Sequence, residues 1–396
     1  MVILEEGNMK IIKYSLLTLL GCLLISSFSH DSDGNEVWGF YGHKLINRTA
    51  VFTLPIDLIP LYKSNLDFVV DHSVDPDKRR HASPLEAVRH YIDIDQWGDH
   101  PYEEVPRMFT DALLKYGQLD LINAEGDTVK SWSQEEQYPD IIKDSLRGQL
   151  RHEIQIRTFE LLEEKYINLP TNWVSKDSNL TLYYSEGFSE FGILPYHLSL
   201  YQNRLTKAFK NNDWPLVLRL STEMGHYISD GHVPLHTTLN YNGQLTGQDG
   251  IHAFWESRIP ELFAEAEYDL FTGRAKYIED TDAFFWDIIL SSNLLVDDVL
   301  SKELQLREEF KKDKQYCFDE RNNNTVRVEC EQYAKAYAES LDGMVESQMR
   351  KAIAAVGSAW FTAWVDADRP LIPALDSLIF GSQEIIKVDT SLMIKK

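Results

Sequence analysis

The stretch GHYISDGHVPLH, residues 225–236, sets three histidines and one aspartate within twelve positions of a chain that has only 12 histidines among 396 residues. On a helix His226 and Asp230 stand four residues apart and share one face. Pro234 ends that helix and turns the chain, so that His236 returns toward the same point, while His232, two residues past Asp230, points elsewhere. Imidazole nitrogens and a carboxylate converging from a helix and the turn behind it are what a divalent metal ion needs. A second pair, His252 and Glu256 in IHAFWE, repeats the four-residue spacing, although His and Glu so spaced also form solvated pairs.

Further donors lie upstream. His90 opens HYIDID, and SVDPDKRR before it offers Asp75 and Asp77, readable either as a carboxylate ligand or as a solvated acidic turn beside basic residues. WGFYGHKLIN holds Trp38 and then His43 at the start of the first expected helix; an aromatic anchor and a capping histidine are the plain alternative.

Taken in order, these pieces resemble the zinc-dependent phospholipase C and single-strand nuclease superfamily, whose nuclease branch is the P-one/S-one type. Its pattern is an N-terminal Trp, a nearby His, an Asp, a His, then His-x-x-x-Asp with a following His, then His-x-x-x-Asp or Glu. Trp38, His43, Asp75 (fifteen residues before His90), His90, His226, Asp230, His236, His252 and Glu256 fill it. The resemblance implies a single all-α, multi-helix domain over residues 38–380 with three zinc ions at the base of a cleft. Asp75, His90, His226 and Asp230 would hold one ion, and His236, His252 and Glu256 a second. Trp38, His43 and Asp230 would hold the third, with Asp230 bridging. Asp75 would double as proton acceptor for a metal-activated hydroxide, and Lys78 or Arg79 would either touch a phosphate oxygen or be plain surface charges. Nitrogen and oxygen donors without thiolate suit catalytic zinc. In the family the Trp ligates through a free amino group, yet Glu36-Val37 before Trp38 is a poor processing site.

The substrate reading divides. Glu at 256 and the short gap from His236 to His252 resemble the phospholipase C branch; the short gap from Trp38 to His43 resembles the nuclease branch. We expect a phosphate-ester hydrolase of phospholipase C type acting on phospholipid or another phosphate ester, with a single-strand nuclease and 3′-nucleotidase acting on single-stranded nucleic acid or nucleotides as the alternative. A di-iron bundle needs paired Glu-x-x-His motifs, and only EMGH at 223–226 has that form. A non-catalytic zinc-binding envelope protein would bind metal without turnover. No stable protein partner is implied.

The elements that must position these donors read as helices. Helical periodicity runs through 42–54, 134–166, 196–212, 214–230, 283–300 and 331–367, about ten helices in all, and alternating strand patterns are scarce. Residues 180–196 are the most irregular stretch and a candidate cleft wall. Apolar residues at 43% and aromatics at 12% suffice for a core. A net charge of −23 opposes non-specific duplex binding while leaving room for a site whose positive charge comes from metal ions. Residues 1–30 have the layout of a secretory signal, with Met9 expected as the true start and no transmembrane segment in the mature chain. LLGC at 19–22 resembles a lipoprotein box, with Leu20 atypical, so Cys22 either carries lipid or leaves with the signal. Export to periplasm or medium makes Cys317 and Cys330 an expected disulfide.

Overall fold

The computed structural model describes residues 40–80, 83–133, 138, 140–156, 166–169, 179–321, 324–373 and 378–381. The expected signal segment, Cys22 and Trp38 lie outside the described residues. Helix makes up 60% and strand 9%, so the molecule is mostly helical, with small sheets in addition. No helix among the described residues is long and apolar enough to cross a membrane.

The helix Trp214–Gly231 is the centre. Asp213 starts it by accepting a hydrogen bond from the Leu216 amide at 3.2 Å, with a proline in the first turn. Every residue from Leu220 to Gly231 is buried, so this helix is enclosed on all sides. The helices Phe40–Val51, Leu194–Lys210, Thr281–Asn293 and Met344–Asp366 surround it. Backbone and side chains are joined deep in this layer. Trp360 donates its indole N–H to the Ser221 carbonyl at 2.9 Å, and Tyr62, stacked on Trp360, bonds the Ser221 hydroxyl at 2.8 Å.

Two glycines let helices come close. A Cβ on Gly225 would meet Asn47 Oδ1 at 1.8 Å, and one on Gly357 would meet Thr53 Oγ1 at 1.9 Å. The first approach carries the Phe40–Val51 helix, and His43 with it, onto the face that bears His226.

Four expectations change. Among the described residues of the region 134–166, Asp140–Ile156 is helix and Tyr166, expected as its helical end, instead opens the strand Tyr166–Leu169. That strand, β3, joins β1 (Gln118–Ile122), β2 (Thr128–Trp132) and β4 (Thr181–Ser185) in an antiparallel sheet of order β2-β1-β4-β3. Part of the stretch read as irregular is therefore ordered sheet: Leu182 and Tyr184 face inward opposite Leu121 and Leu119. The run 331–367 is two helices, Glu331–Ser340 and Met344–Asp366, broken where Asp342 and Gly343 take positive φ. The run 283–300 likewise divides into Thr281–Asn293 and Val296–Glu309.

The cysteine pair is bonded as expected. Cys317 and Cys330, with Cα atoms 5.0 Å apart, close a hairpin of β5 (Tyr316–Arg321) and β6 (Asn324–Glu329).

The close helix approach gives a test. Gly225→Ala should destabilise the protein by about 1–3 kcal/mol in chemical denaturation, because Asn47 must give way. A gain of about 1 kcal/mol, as helix propensity alone favours, would show that the contact does not constrain the two helices.

Candidate metal centre

Four short devices bring the donors together. The central helix presents His226 and Asp230 on one face, 3.4 Å apart between His226 Nε2 and Asp230 Oδ2. Pro234 opens a single turn, Pro234–Thr237, that swings His236 back. That turn is tied to the chain after His90 in both directions: His236 Nδ1 bonds the His90 carbonyl at 2.7 Å, and the Ile92 amide bonds the His236 carbonyl at 2.9 Å. Finally, the turn Ile251–Ala253 passes into a π-helix, Phe254–Arg258, a conformation concentrated at functional sites, and across the join His252 Nε2 lies 2.8 Å from Glu256 Oε2.

Three donor groups result, each with its atoms within 4.8 Å of one another: His43, His226 and Asp230; Asp77, His90 and His226; and His236, His252 and Glu256. They are continuous. Asp230 turns Oδ1 toward His43 at 3.4 Å and Oδ2 toward His90 at 2.9 Å. Glu256 turns Oε1 toward His43 at 3.3 Å and Oε2 toward His236 at 3.5 Å. His226 Nε2 and His90 Nδ1 are 3.1 Å apart. His43, His90, His226, Asp230, His236, His252 and Glu256 are thus drawn together as the sequence implied.

Asp75 is not among them; the carboxylate at the cluster is that of Asp77. Both residues stand in the short helix Asp75–Arg80, and a separation of two residues is about 200° around a helix, so only one can face the site. Asp75 turns to His72 Nδ1 at 2.6 Å and Lys78 Nζ at 2.8 Å. Burial pushes its carboxyl up, but the bonds from His72 and Lys78 prevail and hold it below the usual range. Asp77 Oδ1 instead lies 3.7 Å from His226 Nε2 and 3.8 Å from His90 Nδ1. Lys78 is engaged with Asp75, and Arg79 bonds Glu223 at 2.9 Å; neither is bonded to a residue of the donor groups. The cation beside the cluster is Arg80, which sequence reading missed. Its charge pulls the Asp230 carboxyl down and disfavours protonation of His90, and it makes no hydrogen bond or ion pair among the described residues. His232 points away, bonding the Ile228 carbonyl at 2.8 Å, and burial holds its pKa down at about 4.

The donor set fits a metal. Tetrahedral zinc with bonds of about 2.0–2.1 Å spaces its ligand atoms about 3.3 Å apart, and the carboxylate–imidazole contacts of the cluster, from 2.8 to 3.8 Å, bracket that spacing. His236 Nε2, the nitrogen that faces Glu256, is buried without a hydrogen bond among the described residues. Burial holds His90, His226 and His236 below the usual imidazole range, so each keeps a lone pair at neutral pH. Burial, then repulsion from Asp77 and Glu256, pushes the Asp230 carboxyl up, so a cation there displaces a proton. Burial also works against ionised Glu256, but bonds from His236, His252 and His43 outweigh it and hold that carboxyl well below the usual range. The cluster reaches solvent at His252, Asp77 and Glu256, which are 22%, 15% and 12% exposed against 0–1% for His226, Asp230 and His90.

No family model, curated protein or solved structure matches the chain. Fold and site together define it as a mostly helical protein with several His and Asp groups able to hold a metal ion.

Two outcomes are expected here. Asp77→Asn should weaken zinc binding by at least tenfold in a chelator competition, with Asp75→Asn near wild type; the reverse order would move the ligand back to Asp75. Asp93, next to the site, titrates at about 7 because burial, then Asp95, pushes its carboxyl up. A folded-state pKa above the unfolded value means that stability is lost as pH rises through about 7. Asp93→Asn should therefore gain roughly 1–3 kcal/mol on wild type at pH 8 and little at pH 4, as urea denaturation at the two pH values would show.

Proposed function

We propose that the chain is a zinc-dependent hydrolase of phosphate esters, phospholipase C-like, with its site at the three donor groups. The observation that carries this reading is the continuity of those groups through Asp230, Glu256 and His226, with nitrogen and oxygen donors only. Ions held by donor groups this close together would suit in-line displacement at phosphorus.

By this reading Asp77, His90, His226 and Asp230 hold one ion, His236, His252 and Glu256 a second, and His43 and Asp230 contribute to a third. Bound zinc supplies Lewis-acid chemistry, making water nucleophilic at neutral pH and offsetting charge on the phosphoryl group. The residues do the rest. Asp230 and Glu256 each aim their two oxygens at different imidazoles and so fix the spacing of the groups. Asp77, at 15% exposure, takes the proton-acceptor role expected of Asp75. Arg80, charged and uncommitted, binds a phosphate oxygen and orients the ester.

The loop after His236 favours an ester with an apolar portion. It leaves Leu239, Tyr241 and Leu245 39%, 53% and 67% exposed, and the Tyr241 ring sits 6.1 Å from that of His252. The loop is held in shape by its own amides: Asn240 Oδ1 accepts from the Leu245 amide at 2.8 Å, and Asn242 Oδ1 from the Gly250 amide at 3.0 Å. The same Tyr241 supports the second reading, a single-strand nuclease, since an exposed ring beside the site can stack a base.

Side-by-side assays with phosphatidylcholine, single-stranded DNA and a 3′-nucleotide test both. We expect phosphatidylcholine or another small diester to be cleaved fastest; turnover of DNA and the nucleotide alone would select the nuclease reading. His226→Ala and Asp230→Ala should each remove activity on any of these from a folded protein, and Arg80→Ala should raise KM roughly tenfold. Full activity in the zinc-stripped protein contradicts the proposal.

A further inference from the structure

Behind His90, away from the donor groups, lies a buried ionic layer that the reaction as described does not use. Its members are Glu86 and Glu223, both buried, with Arg79, Arg89, Arg219, Tyr201 and Tyr227. Glu223 accepts from Arg79 Nη1 at 2.9 Å, Arg219 Nε at 3.2 Å and the Tyr201 hydroxyl at 2.6 Å. Glu86 Oε2 accepts from Arg89 Nη1 at 2.7 Å; its Oε1 accepts from the Tyr227 hydroxyl and, at 3.5 Å, from Arg79 Nη2.

One member also faces a donor-group histidine. His90 points Nδ1 at Asp230 and His226 and leaves Nε2 on the opposite side of its ring, buried and without a hydrogen bond among the described residues. The carboxylate on that side is Glu86, with Oε1 3.9 Å from His90 Nε2, about 1 Å beyond a hydrogen bond. An imidazole that gives Nδ1 to a metal must carry its proton on Nε2. A buried N–H without an acceptor is costly. A carboxylate has about four acceptor sites, so Glu86 can take this proton beside its three present donors.

We propose that Glu86 is the positioning residue of His90, accepting its Nε2–H so that Nδ1 stays unprotonated and directed into the donor groups. This rests on the metal reading above. Glu86 does not touch substrate or metal; it acts through the imidazole, in the way outer carboxylates fix the tautomer and raise the basicity of ligating histidines. The competing explanation is that Glu86 only neutralises Arg79 and Arg89. Glu223 serves as the matched control, because it neutralises Arg79 and Arg219 in the same layer and contacts none of the donor-group residues through any bond described.

The test is zinc affinity by chelator competition, the visible absorption of the cobalt-substituted protein, and thermal stability, each for wild type, Glu86→Gln and Glu223→Gln. We expect Glu86→Gln to weaken one zinc ion by 10–100-fold and alter the cobalt spectrum, with Glu223→Gln matching wild type in both whatever its loss of stability. If Glu86→Gln does not fold, Tyr227→Phe takes its place; it frees Glu86 Oε1 from one donor and should shift the same affinity and spectrum. Wild-type affinity and spectrum in the folded Glu86 or Tyr227 variant, or equal changes in the Glu223 variant, overturn the inference. A wild-type protein that binds no metal overturns the metal reading first, and the inference with it.

Discussion

Asp77, Asp230 and Glu256 lie within reach of five imidazoles in a largely buried cluster, and that is the constraint on which the rest depends. Carboxylates removed from water are expensive unless cations or donors face them. Here burial disfavours protonation of His90 and His226 beside Asp230, and its own carboxyl is pushed toward protonation by burial and by Asp77 and Glu256. Such a cluster stabilises nothing by itself. It becomes favourable when positive charge enters it, and divalent ions supply that charge in the smallest volume.

The fold answers this constraint with rigid parts. The central helix fixes His226 and Asp230, and Gly225 admits the neighbouring helix closely enough to bring the His43 ring within 3.9 Å of the His226 ring, centroid to centroid. The paired bonds between the His90 segment and the His236 turn fix two more donors to each other without any long element between them. Glu256 rides on a π-helix, whose wider turn aims both carboxylate oxygens into the site. Donors from five parts of the chain thus converge on backbone that is itself held in helices or tight turns. The net charge of −23 is of the opposite sign, so under the proposed function bound metal and Arg80 would be the local source of attraction for a phosphate.

Much of the site was legible in the sequence because its spacings are helical ones. His226 with Asp230, and His252 with Glu256, declare a shared face, and Pro234 declares the return of His236. The choice between Asp75 and Asp77 was not legible by counting residues, since it is decided by which side of a short helix meets the core. Pro76, buried between them, stands about 100° from each and does not decide it. Arg80 and Glu86 carry no motif and emerge only in three dimensions. In the fold, the long apolar periods gave helices, while the five-residue strands Gln118–Ile122 and Thr181–Ser185 were too short to announce themselves and owe their state to pairing with each other. Breaks such as Asp342-Gly343 were hidden because the helices on either side keep the same composition.

The central claim is that these donors form one multinuclear centre. X-ray absorption at the zinc edge, with metal analysis on the same purified sample, addresses it most directly. The account predicts more than one zinc per chain, nitrogen and oxygen neighbours at about 2.0–2.1 Å and no sulfur neighbour at about 2.3 Å. Protein without bound zinc after growth in zinc-replete medium, or zinc held by sulfur, would contradict it.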